Sequence, residues 1–254
     1  YTEIYIDIIK EYLSVKGDDR DELIADKSLS ELIDISSSLA TYMILNRKTS
    51  ISATELIKLS DELYFVNNNN NNITVNDLKI LLNSSLLDKN ENGFVFFHKS
   101  IQEFLMAFFV NKKNLNLQEI KKLFSHELKF YEEFEEVIVY LTNLNDNFFD
   151  EIVKFDTLIF KRHPSLDKKQ QEKLLSTMLY NLQHEKSIIY GKWKYFDNNS
   201  LLNFKQVCNI HKIIEKNVDI NKVDNVLFPY LMKLLHFNYS KELENIIFDI
   251  LERF

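Results

Sequence analysis

Glycine and proline are almost missing from this chain, which contains 3 and 2 of them among 254 residues. Sheet proteins need such residues at their turns every dozen positions or so. The scarcity therefore predicts a mainly α-helical protein. With 45% hydrophobic and 27% charged residues, the chain has the composition of a globular protein, and its length allows one large domain or two modest ones.

Apolar residues recur at helical spacing along most of the sequence, which predicts a succession of amphipathic helices. Ser52 and Glu55 have the spacing of an S-x-x-E capping box at the start of one predicted helix, and Thr74 can cap the helix that follows it. The asparagine run at residues 67–72 is interpreted as a surface loop. The helices are expected over residues 2–14 and 30–46, after Ser52, after Thr74, from Ser100 to near Asn111, and around 134–141, 174–182 and 243–254.

Two short apolar runs, residues 86–87 and 94–97, flank a polar turn that contains Gly93, and this pattern predicts a β-hairpin. Three helices followed by a hairpin is the order of a winged helix, in which the hairpin is the wing. The short amphipathic helices that follow predict paired helices stacked as a HEAT- or TPR-like array, although no strict sequence period is present. The expected fold is therefore mainly α, with a winged-helix module followed by an α-helical repeat array.

The charge distribution argues against a nucleic-acid-binding protein. The formal net charge is -7 and no basic stripe is present, whereas phosphate contacts require clustered Lys and Arg. The third helix of a winged helix would enter the major groove of DNA, and here Lys79 is the only basic residue of that helix. A winged-helix DNA-binding regulator is thus a disfavoured alternative. A second alternative is a stand-alone helical-repeat scaffold that binds a protein partner.

The sequence lacks the patterns of common catalytic and metal sites. It contains no G-x-x-x-x-G-K-[ST] motif, so this chain has no P-loop to hold nucleotide phosphates. Its six histidines are never three or four residues apart, and Cys208 is the only cysteine, so neither a zinc site nor an internal disulfide is expected. The glutamates at 132–136 are interpreted as a solvated helix face, and Trp193 as part of a cluster that holds a long connection.

The compartment is predicted from what the sequence does not contain. No apolar run approaches the roughly 20 residues that span a bilayer, and no cleavable signal opens the chain. A single cysteine fits a reducing compartment. The chain is therefore expected to be cytoplasmic and not to bind a membrane. It begins within a helical pattern and without an initiator Met, so we expect it to be a piece of a longer protein.

The segment FVFFHKSIQEFLMAFFV, residues 94–110, resembles the F-x-H-x-S-x-Q-E-F/Y-x-A-A segment that ends the winged-helix domain of NACHT-type NTPases. These STAND proteins include NOD-like receptors and many bacterial antiviral proteins. Met106 departs from the pattern, because the family has a small residue there. TEIYIDIIKEYL and LATYMILNRKTSISATELIKL resemble helices upstream of that segment, and EEFEEVIVYLTNLNDNFFDEIV is similar to the first helical pair of the repeats that follow it. The matching positions are Phe96, His98, Ser100, Gln102, Glu103, Phe104 and Ala107.

The resemblance implies three segments: residues 1–28 at the end of a helical domain next to the NTPase core, 29–112 as the winged-helix domain, and 113–254 as an α-helical repeat or sensor region. For His98 it implies a contact with the phosphates of bound ADP that keeps the protein closed and inactive. An imidazole suits this role because it donates a hydrogen bond to a phosphate oxygen. The alternative for His98 is a cap at the strand-to-helix junction.

The neighbouring motif residues have expected structural roles. Ser100, Gln102 and Glu103 are expected to cap and pin the helix, since Ser100 with Glu103 three residues on has the spacing of a capping box. Phe96 and Phe104 are motif residues with an expected structural role.

The function implied is that of the regulatory and sensor portion of a signal-transducing STAND ATPase, in innate-immune-type signalling or antiviral defence. This chain is not expected to be an enzyme; the intact protein is expected to be an ATPase that binds ADP or ATP with Mg²⁺. The expected partners are its own upstream nucleotide-binding domain, a protein ligand or trigger on the helical repeats, and further copies of itself on activation. Neither DNA nor a membrane is an expected partner.

Overall fold

The computed structural model describes residues 2–13, 28–63, 75–126, 129–160, 166–184, 210–224, 227–237 and 240–252. The predictions made for Thr74, the asparagine run, Trp193, Cys208 and the last two residues lie outside these ranges. Within them, no helix is both long enough and apolar enough to cross a bilayer.

The chain is mainly helical, as the sequence predicts. From residue 29 to residue 96, the described elements also follow the predicted order of three helices and a hairpin. The helices are α1 (Thr2–Leu13), α2 (Leu29–Leu45), α3 (Ala53–Leu63), α4 (Val75–Asn83), α5 (Lys99–Lys112), α6 (Leu117–Phe124), α7 (Glu135–Leu144), α8 (Asp146–Phe155), α9 (Lys168–His184), α10 (Ile210–Asn217), α11 (Leu227–Phe237) and α12 (Lys241–Leu251). Short 3₁₀ turns lie at Glu132–Phe134, Thr157–Phe160 and Ile220–Lys222. The strands are β1 (Leu87–Asn90) and β2 (Gly93–Phe96), which pair, and the two-residue strands β3 (Ser125–His126) and β4 (Lys129–Phe130), which also pair.

Side-chain caps explain where the first long helices begin. Ser28 caps α2 in a complete capping box with Glu31. The box predicted at Ser52 and Glu55 is present in one half, because the Ser52 hydroxyl accepts the N–H of Glu55 at 3.1 Å. The Glu55 carboxylate instead accepts hydrogen bonds from Lys48 and from the hydroxyl of Tyr42. It therefore joins the end of α2 to α3.

The predicted hairpin is confirmed, and it gains a third partner. Strands β1 and β2 are antiparallel, with Leu87 opposite Phe96. Ile51, which lies between α2 and α3, exchanges both backbone hydrogen bonds with Phe94, at 2.8 and 2.9 Å. Gly93 makes this approach possible: its φ is +129°, and a Cβ there would lie 2.4 Å from the carbonyl oxygen of Ile51.

The chain divides into two compact units. The first consists of residues 1–125 and 131–146, and in it α5 packs against both α2 and α7. On the buried side of α2, small hydroxyl side chains donate hydrogen bonds to the helix's own carbonyl oxygens, as Ser36 does to Leu32 at 2.7 Å. The core of this unit includes Ile9, Ile35, Leu39, Met43, Ile51, Leu56, Leu78, Leu105 and Phe104.

The second unit consists of residues 126–130 and 147–254. In it α9 packs against α10 and α11, and α12 also packs against these two helices. Gln183 ties α9 to the turn after α10 by exchanging two hydrogen bonds of 2.8 Å with the backbone of Asp219. The predicted segments 1–28, 29–112 and 113–254 do not coincide with the two units, since α7 groups with the first one. That three-part division stays a prediction.

Candidate functional site

The motif segment forms the junction between strand β2 and helix α5. After β2 ends at Phe96, the N–H of Phe97 still donates to the carbonyl of Leu86 at 3.0 Å. His98 has an extended backbone (φ -141°, ψ 133°), and α5 starts at the next residue. His98 is therefore the N-cap of α5, and it is exposed to solvent.

Hydrogen bonds to Ser100 hold the His98 ring in one orientation. Its Nδ1 lies 3.2 Å from the backbone nitrogen of Ser100 and 2.7 Å from the Ser100 hydroxyl oxygen. A backbone N–H only donates, so Nδ1 accepts and the proton of the neutral ring resides on Nε2. In the described parts of the chain no group accepts from Nε2. The exposed edge of the ring therefore presents one oriented N–H donor.

The capping box expected from Ser100 and Glu103 is not formed. A capping-box serine stands just before a helix, whereas α5 begins at Lys99 and Ser100 is its second residue. His98 takes this position: its side chain accepts the Ser100 N–H, and its carbonyl accepts the N–H of Gln102 at 3.3 Å. The interpretation of His98 as a cap is thus confirmed, and the capping role given to Ser100 and Glu103 is wrong.

Glu103 is instead a buried carboxylate one turn into α5. Its side chain is 7% exposed, and its Oε1 lies 3.2 Å from Nζ of Lys99, whose side chain is 81% exposed. Burial raises the pKa of Glu103 above its ordinary value, while Lys99 and, more weakly, His98 oppose that change and Glu136 adds to it. The carboxyl of Glu103 thus interacts electrostatically with both His98 and Lys99 at the start of α5.

The remaining motif residues lie in or near the core. Phe96 is buried and stands opposite Leu87 in the hairpin. Phe104 is also buried, and its ring stacks on that of Tyr5 with centroids 4.8 Å apart and planes 13° from parallel. Gln102 is half-buried. The structure therefore brings His98, with its neighbours Ser100 and Lys99, to the surface, and turns the aromatic positions inward.

The comparisons with known proteins add nothing to this geometry. No protein-family model, curated protein or solved structure matches the chain. Among the described residues, no three His, Cys, Asp or Glu side chains are grouped so that they could hold a metal ion. The functional assignment therefore rests on the segment 94–110 and on the geometry of the junction that it forms.

Sequence reasoning missed Tyr140, which completes the aromatic cluster. Its hydroxyl lies 2.7 Å from that of Tyr5, and its ring meets Phe104 edge-on at 5.7 Å between centroids. Burial, and then the hydrogen bond with Tyr5, raise the pKa of the Tyr140 hydroxyl well above its ordinary value. Tyr5 and Tyr140 are 135 positions apart in the chain, so no local pattern predicts their contact. The only hint in the sequence is that Tyr140 places a hydroxyl group within an apolar helical run.

The chemistry of the junction favours anion binding over catalysis. Ser100 and His98 are within hydrogen-bonding distance, as in a nucleophile–base pair, but the Nδ1 lone pair also accepts a backbone N–H. In the described residues no carboxylate orients Nε2, which a Ser-His-Asp arrangement requires. The exposed groups, Nε2–H of His98 and Nζ of Lys99, are both donors, and phosphate or carboxylate oxygens are their natural partners.

Proposed function

We propose that this chain is the regulatory and sensor portion of a NACHT-type STAND ATPase that acts in innate-immune-type signalling or antiviral defence. In the intact protein, ADP or ATP with Mg²⁺ is held by a nucleotide-binding domain upstream of this chain. The single observation that carries the proposal is the oriented, exposed Nε2–H donor of His98, at the motif position whose counterpart in the family contacts the phosphates of ADP.

The arrangement of the first unit supports the winged-helix part of the proposal. Helices α2, α3 and α4 precede the β1–β2 hairpin, and Ile51, between α2 and α3, forms an isolated β-bridge with Phe94 of β2. That is the order expected of a winged helix with its wing. The helices from α6 onward, within residues 113–254, would then form the repeat region that binds a protein trigger.

The contact of His98 with ADP would act as a conformational switch. A hydrogen bond from Nε2–H to a charged phosphate oxygen stabilises only the state in which the winged helix lies against the nucleotide, so it favours the closed state. Trigger binding to the repeats and exchange of ADP for ATP favour an open state that associates with further copies. Both events shift the same two-state equilibrium, which is what allosteric coupling requires.

Two substitutions distinguish the proposed phosphate contact of His98 from its role as the N-cap of α5. His98→Asn keeps a good N-cap residue but removes the imidazole Nε2–H, whereas His98→Ala removes both. In the full-length protein, both variants should release bound ADP about tenfold faster and raise basal activity. His184→Ala, at another exposed histidine, is the matched control. Unchanged ADP release in His98→Asn would leave His98 only its role as a helix cap and would refute the proposal.

Reading the gene upstream of the Tyr1 codon tests the domain context. An in-frame P-loop, followed by an acidic strand that binds Mg²⁺, supports the proposal. A start codon close to Tyr1 contradicts it and favours a stand-alone helical scaffold.

A further inference from the structure

We propose that Lys99 is a second phosphate-contacting residue at the His98 site, and that Glu103 regulates the site by competing with the phosphate for the Lys99 ammonium group. The inference rests on the proposed function of His98. It assigns to Lys99, a variable position of the motif, a binding role, and to Glu103 a role in setting the affinity for ADP.

The ion pair between Lys99 and Glu103 is unequally exposed. Its two atoms are 3.2 Å apart, yet the lysine side chain is 81% exposed and the glutamate side chain 7% exposed. Lys99 can therefore turn its ammonium group into solvent by rotating its own side chain, whereas Glu103 is held in the packed face of α5. The pair at Lys10 and Asp7 has the same length, but its acidic partner is 73% exposed.

The position of Lys99 suits a contact with the same anion that His98 would bind. The two residues are consecutive, so their Cα atoms are about 3.8 Å apart, well within the reach of a lysine side chain. The Nε2–H of His98 and the ammonium of Lys99 are both donors on exposed side chains. A diphosphate offers several charged oxygens and can accept from both.

The charged groups around Glu103 determine how unfavourable it is to break its ion pair with Lys99. The groups that act on its carboxyl are Lys99 on α5, His98 at the N-cap of α5, and Glu136 on α7; Tyr140 on α7 also interacts with it electrostatically. Lys99 supplies the strongest opposing charge, and Glu136 has the same sign as Glu103. Transfer of Lys99 to a phosphate therefore leaves a buried carboxylate beside another carboxylate, which is unfavourable. Because ADP must take Lys99 away from Glu103, the ion pair lowers the affinity of the site for ADP.

This competition predicts opposite effects for two substitutions. Lys99→Ala removes the second phosphate contact and should speed ADP release about fivefold. Glu103→Gln keeps the size of the side chain but removes its charge, so Lys99 is free for the phosphate and ADP release should slow about threefold. In the double variant Lys99→Ala/Glu103→Gln, release should match that of Lys99→Ala, because Glu103 acts only through Lys99.

The experiment measures release of bound ADP from the full-length protein for these three variants, with Lys10→Ala as the control at a matched ion pair and thermal unfolding to verify folding. Faster release in His98→Asn together with opposite shifts in Lys99→Ala and Glu103→Gln supports the inference. Faster release in His98→Asn with no change in Lys99→Ala overturns the inference alone. Unchanged release in His98→Asn overturns the proposed function and the inference with it. Slower release in the double variant than in Lys99→Ala overturns the regulatory role of Glu103.

Discussion

The hydroxyl of Tyr5 lies 2.7 Å from the hydroxyl of Tyr140, so helix α1 is tied directly to helix α7. Both rings also contact Phe104 of α5, Tyr5 by stacking and Tyr140 edge-on. A second bond joins the same two helices, from the Thr2 hydroxyl to the carbonyl of Asn143 at 3.3 Å. The N-terminal helix is therefore an integral part of the first unit.

Removing one hydroxyl of this pair should destabilise the fold. Tyr140→Phe and Tyr5→Phe each lose the half-buried hydrogen bond but keep the ring contacts, and each should lower the free energy of unfolding by about 1 kcal/mol. The double variant should lose little more than either single one, because both changes remove the same bond. Urea unfolding of the four proteins measures this, with Tyr180→Phe as the control at an exposed tyrosine. Fully additive losses would show that the bond does not contribute.

The pH dependence of stability should reveal the buried carboxyl of Glu103. Burial raises its pKa in the folded state above that in the unfolded chain, so the folded protein binds the proton more tightly. This contribution to stability is complete below the ordinary glutamate pKa, falls as pH rises from there to the raised pKa, and is absent above it. The free energy of unfolding of wild type minus that of Glu103→Gln, measured by urea unfolding at several pH values, should therefore fall as pH rises through this range. A rise of this signed difference with pH would contradict the prediction.

Gly93 should be the least replaceable residue of the hairpin. Alanine there would have to adopt φ near +129° and would place its Cβ 2.4 Å from the carbonyl oxygen of Ile51. Because that oxygen belongs to backbone paired with Phe94, it has little room to move. We expect Gly93→Ala to cost about 2 kcal/mol or more, measured by thermal unfolding. Glu91→Ala, at the exposed turn, should cost little; equal effects of the two would show that the Ile51 pairing is dispensable.

The capping role of His98 predicts a stability effect that is separate from nucleotide. His98→Ala leaves the N–H of Ser100 without its side-chain acceptor and should destabilise the chain by about 1 kcal/mol. His98→Asn supplies a carbonyl oxygen in the same role and should unfold close to wild type. Circular dichroism during thermal unfolding of the isolated 254-residue chain tests both. If alanine is tolerated as well as asparagine, the hydrogen bond to Ser100 does not stabilise α5.

The prediction that failed at α5 shows where local pattern is ambiguous. Ser100 and Glu103 have the spacing of a capping box, and no local feature of the sequence indicates that the helix already starts at Lys99. The hairpin decides this, because the bond from Phe97 to Leu86 keeps the chain extended up to His98. Once His98 is the last extended residue, it becomes the cap, and Glu103 falls on the buried face of α5.

The sequence by itself determined the helical class, the hairpin and the segment around His98, because each depends on residues close together in the chain: apolar spacing, scarce turn residues and one short motif. Only the tertiary structure decided how Tyr5 meets Tyr140, why Gly93 must lack a side chain, and which face of α5 buries Glu103. Those relationships join residues that are distant in sequence. They follow from packing between helices and strands, which no local pattern encodes.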